Sequence, residues 1–255
     1  MTKLRFNDIG VDVDYPEGVG SETALGLRYR ERLLNLTACT DLSQETVGIY
    51  LELRSLSALK DAASCRQSPE LEAVPYDDLL ELLERRLIAI LQDERLASLS
   101  QSTAIYPLFA NAAIIHCYVF MHDTAKSLPL IQLVSNRMRD VLESVSLPFL
   151  NLQYPEMMLW ILIMGGIVTS ESPEPNWYAK QVAELCLTLG VHGGTQVASM
   201  LDEFIWSELY RSPMTAAFWN DVGKFQGSRG SYEVKRLVDH AVMAIFNVAP
   251  AITEH

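Results

Sequence analysis

Three side chains with acid/base chemistry fall within a seven-residue segment, HCYVFMH, as His116, Tyr118 and His122. An imidazole inside an otherwise apolar helix must find a hydrogen-bond partner or lose its charge. His116 is therefore either an acid/base or ligand-contacting group in an internal cavity, or a neutral histidine satisfied by a neighbouring carbonyl. The sequence names no partner for it, so His116, Tyr118 and His122 are retained as candidate catalytic groups.

The tryptophans supply a second set of candidates. All four fall in the second half of the chain, where aromatic faces could line a pocket for an apolar metabolite, and nine methionines add a polarizable lining. The candidate ligand-binding residues are Trp160, Met164, Trp206 and Trp219. Aromatic residues at helical spacing are more often part of the core, and that alternative stays open.

Other motifs and groups of residues give only weak evidence for a functional site. The chain has no G-x-S-x-G, H-E-x-x-H, P-loop or G-x-G-x-x-G motif, and its four cysteines are dispersed. The loop GSRGS at residues 227–231 could hold an anion with Arg229, or it could simply precede a helix. An acidic arm suggests calcium, but its spacing fails the EF-hand pattern; its members are Asp8, Asp12, Asp14 and Glu17. We predict no metal and no cofactor.

Composition limits the partners. With 32 acidic and 20 basic residues the formal net charge is -12, so the surface field repels phosphate backbones and anionic lipids. Direct binding of nucleic acid or membrane is not expected. The first ten residues, MTKLRFNDIG, lack the apolar core of a secretory signal. We therefore expect an intracellular protein, nuclear or cytoplasmic rather than secreted.

The apolar pattern predicts the elements that position these residues. Residues 1–21 read as an irregular arm, whose one strand-like feature is the alternation at residues 11–15. From about residue 22 onward the apolar period is helical. The prediction is an all-α fold, a single multi-helix, bundle-like domain over residues 22–255, with about eight or nine helices and no significant sheet.

Caps and prolines predict the helix boundaries. The helix after Pro129 should bury a stripe that starts at Leu130 and should end at Pro148. The other predicted helices run from Ser43 to about Ala63, from the capping-box pair Asp78 and Glu81, from Ala104 to Asp123, from Trp177 to Leu189 between Asn176 and Gly190, from Thr195 to Tyr210, and from Ser231 onward.

The stretch PEMMLWILIMGGIV, residues 155–168, is the most apolar segment. Its uncharged run from Met157 to Val168 is far shorter than the about 20 residues that cross a bilayer. Because it is apolar all round, we predict a central helix enclosed by others. The pair Gly165 and Gly166 should let a neighbouring helix or a ligand approach the backbone, and close helix packing is the preferred interpretation.

Four segments give a family resemblance. PEMMLWILIMGGIV is followed by NWYAKQVAELCLTLGV, then MLDEFIW, then FWNDV at residues 218–222. Their order and spacing resemble the fungal-specific transcription factor domain, which lies carboxy-terminal to binuclear zinc cluster DNA-binding modules. The earlier segments IYPLFANAAIIHCYVFMHD and LPLIQLVSNRMRDVLESV look like the central helices of that family. The resemblance spans roughly residues 45–225 and implies an α-helical regulatory domain.

The chain also departs from that family, because it lacks the six closely spaced cysteines and the basic linker. Our first hypothesis is a stand-alone regulatory module that binds a hydrophobic small molecule, a protein partner or a second copy of itself, and acts on a fungal secondary-metabolite pathway. The alternative is a cofactor-independent enzyme of such a pathway. It would be a cyclase, pericyclase or isomerase that folds a hydrophobic polyketide or terpenoid in an internal pocket, with His116, Tyr118, Trp160 and His122 as candidate groups.

Overall fold

The computed structural model describes residues 3–5, 12–14, 40–65, 76–96, 103–122, 128–169, 176–202, 204–212 and 215–227. Within these ranges the chain is all-α, as predicted, and its extended strands form only a short antiparallel ribbon of Lys3–Arg5 with Asp12–Asp14. The second of these strands falls on the alternation noted in the sequence. The predicted helix from Ser231, and the GSRGS loop beyond Gly227, lie outside the described residues.

Nine α-helices are present in the described ranges, in agreement with the predicted eight or nine. They are α1 (Thr40–Cys65), α2 (Tyr76–Leu91), α3 (Ile105–His116), α4 (Leu128–Ser144), α5 (Leu147–Gln153), α6 (Pro155–Val168), α7 (Trp177–Leu189), α8 (Gly193–Asp202) and α9 (216–227). Three shorter turns complete the fold: 3-10 turns at Glu94–Leu96 and Glu208–Arg211, and a π-turn at Cys117–Met121 that continues α3.

Helix α6 is the centre of the domain. Every residue from Met157 to Val168 is buried, and the helix packs against α3, α4, α5, α7 and α8. A helix that is apolar on all sides is stable in water only when other helices enclose it, which is the position predicted from its sequence. No helix in the described part of the chain combines the length and the hydropathy needed to span a bilayer.

The glycine pair of α6 is a point of close packing. A Cβ added at Gly166 would lie 2.1 Å from Cε2 of Phe218 in α9, and one added at Gly165 would lie 2.5 Å from the ring of Tyr178 in α7. These separations are below van der Waals contact, so the two aromatic rings occupy space that any side chain would need. The preferred interpretation, close packing of neighbouring helices, is confirmed.

Side chains also satisfy the carbonyls of these glycines. The last four carbonyls of a helix have no partner within it. The Oγ of Ser135 donates to the carbonyl of Gly165 at 3.1 Å, and Nδ2 of Asn176 donates to that of Gly166 at 2.9 Å. Asn176 also caps α7, since its Oδ1 accepts from the backbone N–H of Ala179. One asparagine thus joins the end of α6 to the start of α7.

Helices α1 and α2 are joined by a guanidinium clamp. Arg86 of α2 donates through Nε to Glu45 at 2.6 Å and through Nη1 to Glu52, and both acceptors belong to α1. Its Nη2 would lie 3.1 Å from a Cβ at Gly48, which sits between the two glutamates. The arginine therefore crosses α1 where that helix has no side chain.

Several predicted boundaries are wrong. Helix α1 begins at Thr40 rather than Ser43. Helix α2 begins at Tyr76, so Asp78 lies in its first turn, where an acidic group favours the helix dipole, and does not cap it. Helix α4 ends at Ser144, and Pro148 lies at the start of α5, where its missing N–H costs nothing.

One predicted face and the extent of one predicted helix are also wrong. Leu130 was assigned to the core stripe of α4, but it is 45% exposed, and Ile131 and Ser135 are buried in its place. The helix predicted from Thr195 to Tyr210 is α8, which begins at Gly193 and ends at Asp202. Residues 204–207 are non-helical and lead to the 3-10 turn, and Phe204 and Ile205 are both buried there.

Candidate functional site

His116 is the last residue of α3 and is completely buried. Its Nε2 lies 2.8 Å from Oγ of Ser57 in α1, and its Nδ1 lies 2.7 Å from the hydroxyl of Tyr210 in the 3-10 turn. The indole N–H of Trp160 in α6 donates to the same tyrosine oxygen at 3.0 Å. These four side chains, which we call the core network, join three helices to the turn that follows α8.

One arrangement of protons satisfies every member of the core network. The hydroxyl of Ser57 donates to the carbonyl of Leu53 at 2.7 Å, so its oxygen is left to accept from the Nε2–H of His116. The Nδ1 of His116 is then unprotonated and accepts from the hydroxyl of Tyr210, whose oxygen accepts from Trp160. The opposite tautomer would leave the tyrosine proton without an acceptor within the network. The histidine is therefore neutral and carries its proton on Nε2.

Burial fixes this protonation state. Desolvation lowers the pKa of His116 to about 3, because the imidazolium would lie in a medium that cannot solvate it. Desolvation also raises the pKa of Tyr210 well above its usual value, with a smaller opposing effect from the Trp160 hydrogen bond. At neutral pH the pair holds one transferable proton, on the tyrosine, facing an imidazole nitrogen. The satisfying groups are side-chain hydroxyls rather than the neighbouring carbonyl considered from the sequence.

Trp160 lies inside an aromatic cluster. Its ring is fully buried and contacts Phe109, His116 and Phe204 at centroid distances of 5.7, 6.0 and 5.9 Å. Met164, one turn along α6, is also fully buried. The structure thus places these two predicted ligand-binding residues in packed core contacts.

Tyr118 and His122 lie on the other side of α3, at the π-turn. His122 ends that turn in an extended conformation, and its Nε2 bonds to the carboxylate of Glu84 in α2. The ring of Tyr118 packs edge to face against His122 at 5.5 Å, and desolvation, followed by the charge of Glu84, raises the pKa of the phenol. All three side chains are partly exposed. The structure therefore brings two candidate catalytic residues together and separates both from His116.

Trp206 lines a surface cleft of about 360 Å³. Helix α1 forms one wall, and the other is formed by the end of α8 and the residues that follow it. The lining residues are Arg54, Ala58, Asp61, Asp202, Ile205, Trp206 and Glu208. The cleft therefore combines one guanidinium and three carboxylates with an indole and two aliphatic side chains.

The wall that contains Trp206 is fixed to α1 by Asp61. Its Oδ1 accepts from Oγ of Ser207 at 2.8 Å, and its Oδ2 accepts more weakly from the backbone N–H of Glu208 at 3.4 Å. Desolvation raises the pKa of Asp61, although both hydrogen bonds oppose this effect. Because Asp61 lies one turn beyond Ser57 on α1, the same helix face holds the core network and the cleft.

Trp219 is a half-buried residue of α9. Its indole N–H donates to the carbonyl of Tyr210 at 2.9 Å, and its ring packs against Phe218 at 5.1 Å. The structure thus places Trp219 behind the 3-10 turn, where it supports the backbone of Tyr210, and not among the residues that line the cleft.

Four of the polar groups described above were missed from the sequence: Ser57, Asp61, Glu84 and Tyr210. The partners of His116 lie 59 and 94 positions away along the chain, and no local spacing relates them. A small polar residue on the apolar face of α1 was the one available signal for Ser57.

No group of three or more metal-ligating side chains comes together within the described ranges. Asp12 and Asp14 lie on the second strand of the ribbon, whereas Asp8 and Glu17 lie outside the described residues. Comparisons with protein-family models, curated proteins and solved structures found no match to this chain.

Proposed function

We propose that this chain is a regulatory module of the kind its sequence resembles, and that it responds to an effector or a partner bound in the cleft beside Trp206. It would act without contacting DNA itself, through a fungal factor that does. The proposal rests on the motif segments of the sequence and on one observation: the short segment of residues 204–212 carries both Trp206 of the cleft wall and Tyr210 of the core network.

Two contacts support the idea that this segment passes a signal. Trp206 faces the cleft, and four residues later Tyr210 is hydrogen-bonded to His116 in the core. The rings of Trp206 and Tyr210 pack edge to face at 5.1 Å. A ligand that displaced Trp206 would therefore disturb a buried hydrogen-bond network that touches α1, α3 and α6. Packed cores respond to such displacements in discrete steps, which suits a two-state regulator.

The groups of the core network do not suit catalysis. A catalytic acid or base needs to reach a substrate and to exchange protons near the working pH. His116 is fully buried, uses both ring nitrogens, and has a pKa of about 3. It therefore does not suit acid/base chemistry on a bound substrate.

A reporter assay tests the proposal. The full chain would be fused to a heterologous DNA-binding domain in a filamentous fungus, and transcription of a reporter gene would be measured. We expect the fusion to change transcription and Trp206→Ala to abolish most of that change, because the indole forms one wall of the cleft. Trp177→Ala is the matched control, since Trp177 is also a half-buried tryptophan but lies on α7 outside the cleft lining.

Melting curves of both variants separate loss of signal from loss of fold. Reporter output that equals that of the DNA-binding domain alone would refute the regulatory proposal. Equal effects of the two tryptophan variants would refute the role of the cleft.

The enzyme hypothesis is supported by a different observation, the cluster of Glu84, Tyr118 and His122. A carboxylate that holds one imidazole nitrogen is an arrangement used to orient a general base. The corresponding test is turnover of hydrophobic polyketide or terpenoid substrates by the purified chain, compared with His122→Gln. Conversion above the uncatalysed background that disappears in His122→Gln would favour a cofactor-independent cyclase, pericyclase or isomerase over the regulator.

A further inference from the structure

We propose that Tyr210 and His116 form a proton-coupled one-electron redox pair, which receives oxidising equivalents that arrive at Trp206. This inference is independent of the proposed regulatory function. It uses the one transferable proton that the core network holds and the ring contacts that connect the network to the cleft.

The path begins at a partly exposed indole. Trp206 lines the cleft, and its ring contacts that of Tyr210 at 5.1 Å between centroids. The guanidinium of Arg211 lies 5.3 Å from the centroid of the Trp206 ring. The indole N–H of Trp206 also donates to a carboxylate oxygen of Glu208 at 3.1 Å, so charges of both signs lie next to the ring. An oxidised Trp206 is in ring contact with Tyr210, and the proton acceptor beside that tyrosine favours electron transfer from it.

The next step is a coupled transfer. One electron passes from Tyr210 to the oxidised Trp206, and the phenolic proton moves along the 2.7 Å hydrogen bond to Nδ1 of His116. The products are a neutral phenoxyl radical on Tyr210, an imidazolium on His116, and a restored Trp206. The electron lost overall goes to an outer-sphere one-electron oxidant at the surface. Return of one electron to the phenoxyl returns the proton and restores the pair.

The imidazole distinguishes Tyr210 from two other buried tyrosines, Tyr178 and Tyr50. The hydroxyl of Tyr178 donates at 2.6 Å to the carbonyl of Ser135, and an amide carbonyl is too weak a base to take the proton. The hydroxyl of Tyr50 is buried without a hydrogen-bond partner among the described residues. Neither phenol therefore has a base beside it, among the described residues, that could take its proton on oxidation.

The Trp160 indole also contributes to the pair. It donates to the oxygen of Tyr210 at 3.0 Å, so that oxygen keeps one hydrogen bond after its own proton has left. The phenoxyl oxygen is therefore never an unsatisfied buried acceptor. The ring of Phe120 also lies 4.8 Å from that of Tyr210, but it cannot be oxidised under the same conditions and so offers no onward path.

Flash photolysis of the full-length chain tests the pair. Ruthenium(III) tris(bipyridine), generated by a laser flash with a sacrificial quencher, serves as the oxidant. In the native protein we expect the absorption of the indole radical cation to decay as phenoxyl absorption rises, and this rise to slow in D2O because a proton moves with the electron. Tyr210→Phe should lose most of the phenoxyl signal, whereas the matched variant Tyr178→Phe should retain it.

His116→Asn separates proton acceptance from hydrogen bonding. Its amide oxygen can still accept the phenol hydrogen bond but is not a base, so the phenoxyl yield should fall as it does in Tyr210→Phe. Three results would overturn the proposal: an equal phenoxyl yield in Tyr210→Phe, an equal yield in His116→Asn, or a phenoxyl rise in the native chain that D2O leaves unchanged. The D2O comparison needs no variant and therefore stands even if a substitution prevents folding.

Discussion

Gly166→Ala is the substitution whose effect the packing of α6 defines most sharply. The added Cβ would lie 2.1, 2.7 and 3.0 Å from Cε2, Cδ2 and Cζ of Phe218. Phe218 is fully buried, so its ring cannot swing into solvent to relieve the contact. Either the ring leaves its preferred rotamer or α9 moves away from α6, and each response loses packing.

The magnitude follows from two opposing contributions. Overpacking in a well-packed core costs about 1–3 kcal/mol, whereas replacing a helix-interior glycine with alanine gains about 1 kcal/mol in helix propensity. The difference is about 0 to 2 kcal/mol. Because the nearest approach is only 2.1 Å, we expect a net loss in the upper half of this range, about 1 to 2 kcal/mol, in the free energy of unfolding. For a domain of this size that loss lowers the melting temperature by roughly 2 to 8 °C.

A double-mutant cycle with Phe218→Ala identifies the cause. Phe218→Ala alone should cost about 3–5 kcal/mol, since it leaves a cavity against α6. In that background the alanine at position 166 has room, so Gly166→Ala should become stabilising by up to about 1 kcal/mol. The sign of its effect should therefore reverse. Urea denaturation followed by circular dichroism measures all four chains.

Gly223→Ala is the control on the same helix as Phe218. A Cβ at Gly223 would meet nothing within 4 Å, so this change should be neutral or stabilising by up to about 1 kcal/mol. If Gly166→Ala were as stable as the native chain, or if Phe218→Ala failed to relieve it, the contact between α6 and α9 would not be the reason for the glycine.

Two further predictions concern buried polar groups. The unfolded chain binds a proton on His116 below its ordinary pKa of about 6.5, but the folded chain does so only below about 3, so stability should fall as pH decreases through this interval, by up to about 1.4 kcal/mol per pH unit. Urea unfolding between about pH 5 and 6.5 should show a shallower slope in His116→Asn, and an equal slope would contradict the buried neutral state. Arg86→Met removes an ion-pair partner from both Glu45 and Glu52 and should lower the free energy of unfolding by about 2 kcal/mol. The control Arg85→Met removes an exposed ion pair and should change that free energy by less than about 0.5 kcal/mol. Equal losses in the two variants would contradict the clamp.

The helices that the sequence predicts best are those that are buried on every side or that have capping residues at both ends. Helix α6 agrees with prediction at both ends, because an all-apolar stretch bounded by Pro155 and Thr169 has one stable location in a helical domain. Helix α7 agrees for another reason. Asn176 caps it and Gly190 ends it in the left-handed conformation at φ 67°, and both signals are local.

Predictions failed where a distant residue decides the local conformation. The apolar spacing from Val197 to Phe204 predicts that the helix continues, yet α8 ends at Asp202. Ser207 adopts an extended conformation, and its hydroxyl donates to Asp61, which lies 146 positions earlier in the chain. Two hydrogen bonds to Asp61 and the burial of Tyr210 offset the helical hydrogen bonds that the segment gives up. Nothing within residues 195–210 indicates that these distant contacts outweigh the lost helical hydrogen bonds.

The same reasoning explains why the core network could not be read from the sequence. The histidine signal was present, because an imidazole in an apolar helix requires a partner. Its partners, however, are a serine that looks like a minor interruption of the α1 stripe and a tyrosine assigned to the wrong helix. Tyr210 reaches His116 only because α8 ends early and the 3-10 turn redirects the chain. The boundary error at Asp202 and the missing partner of His116 are therefore one failure, and it has one physical cause: Asp61 of α1 anchors the turn that carries Tyr210 into the core.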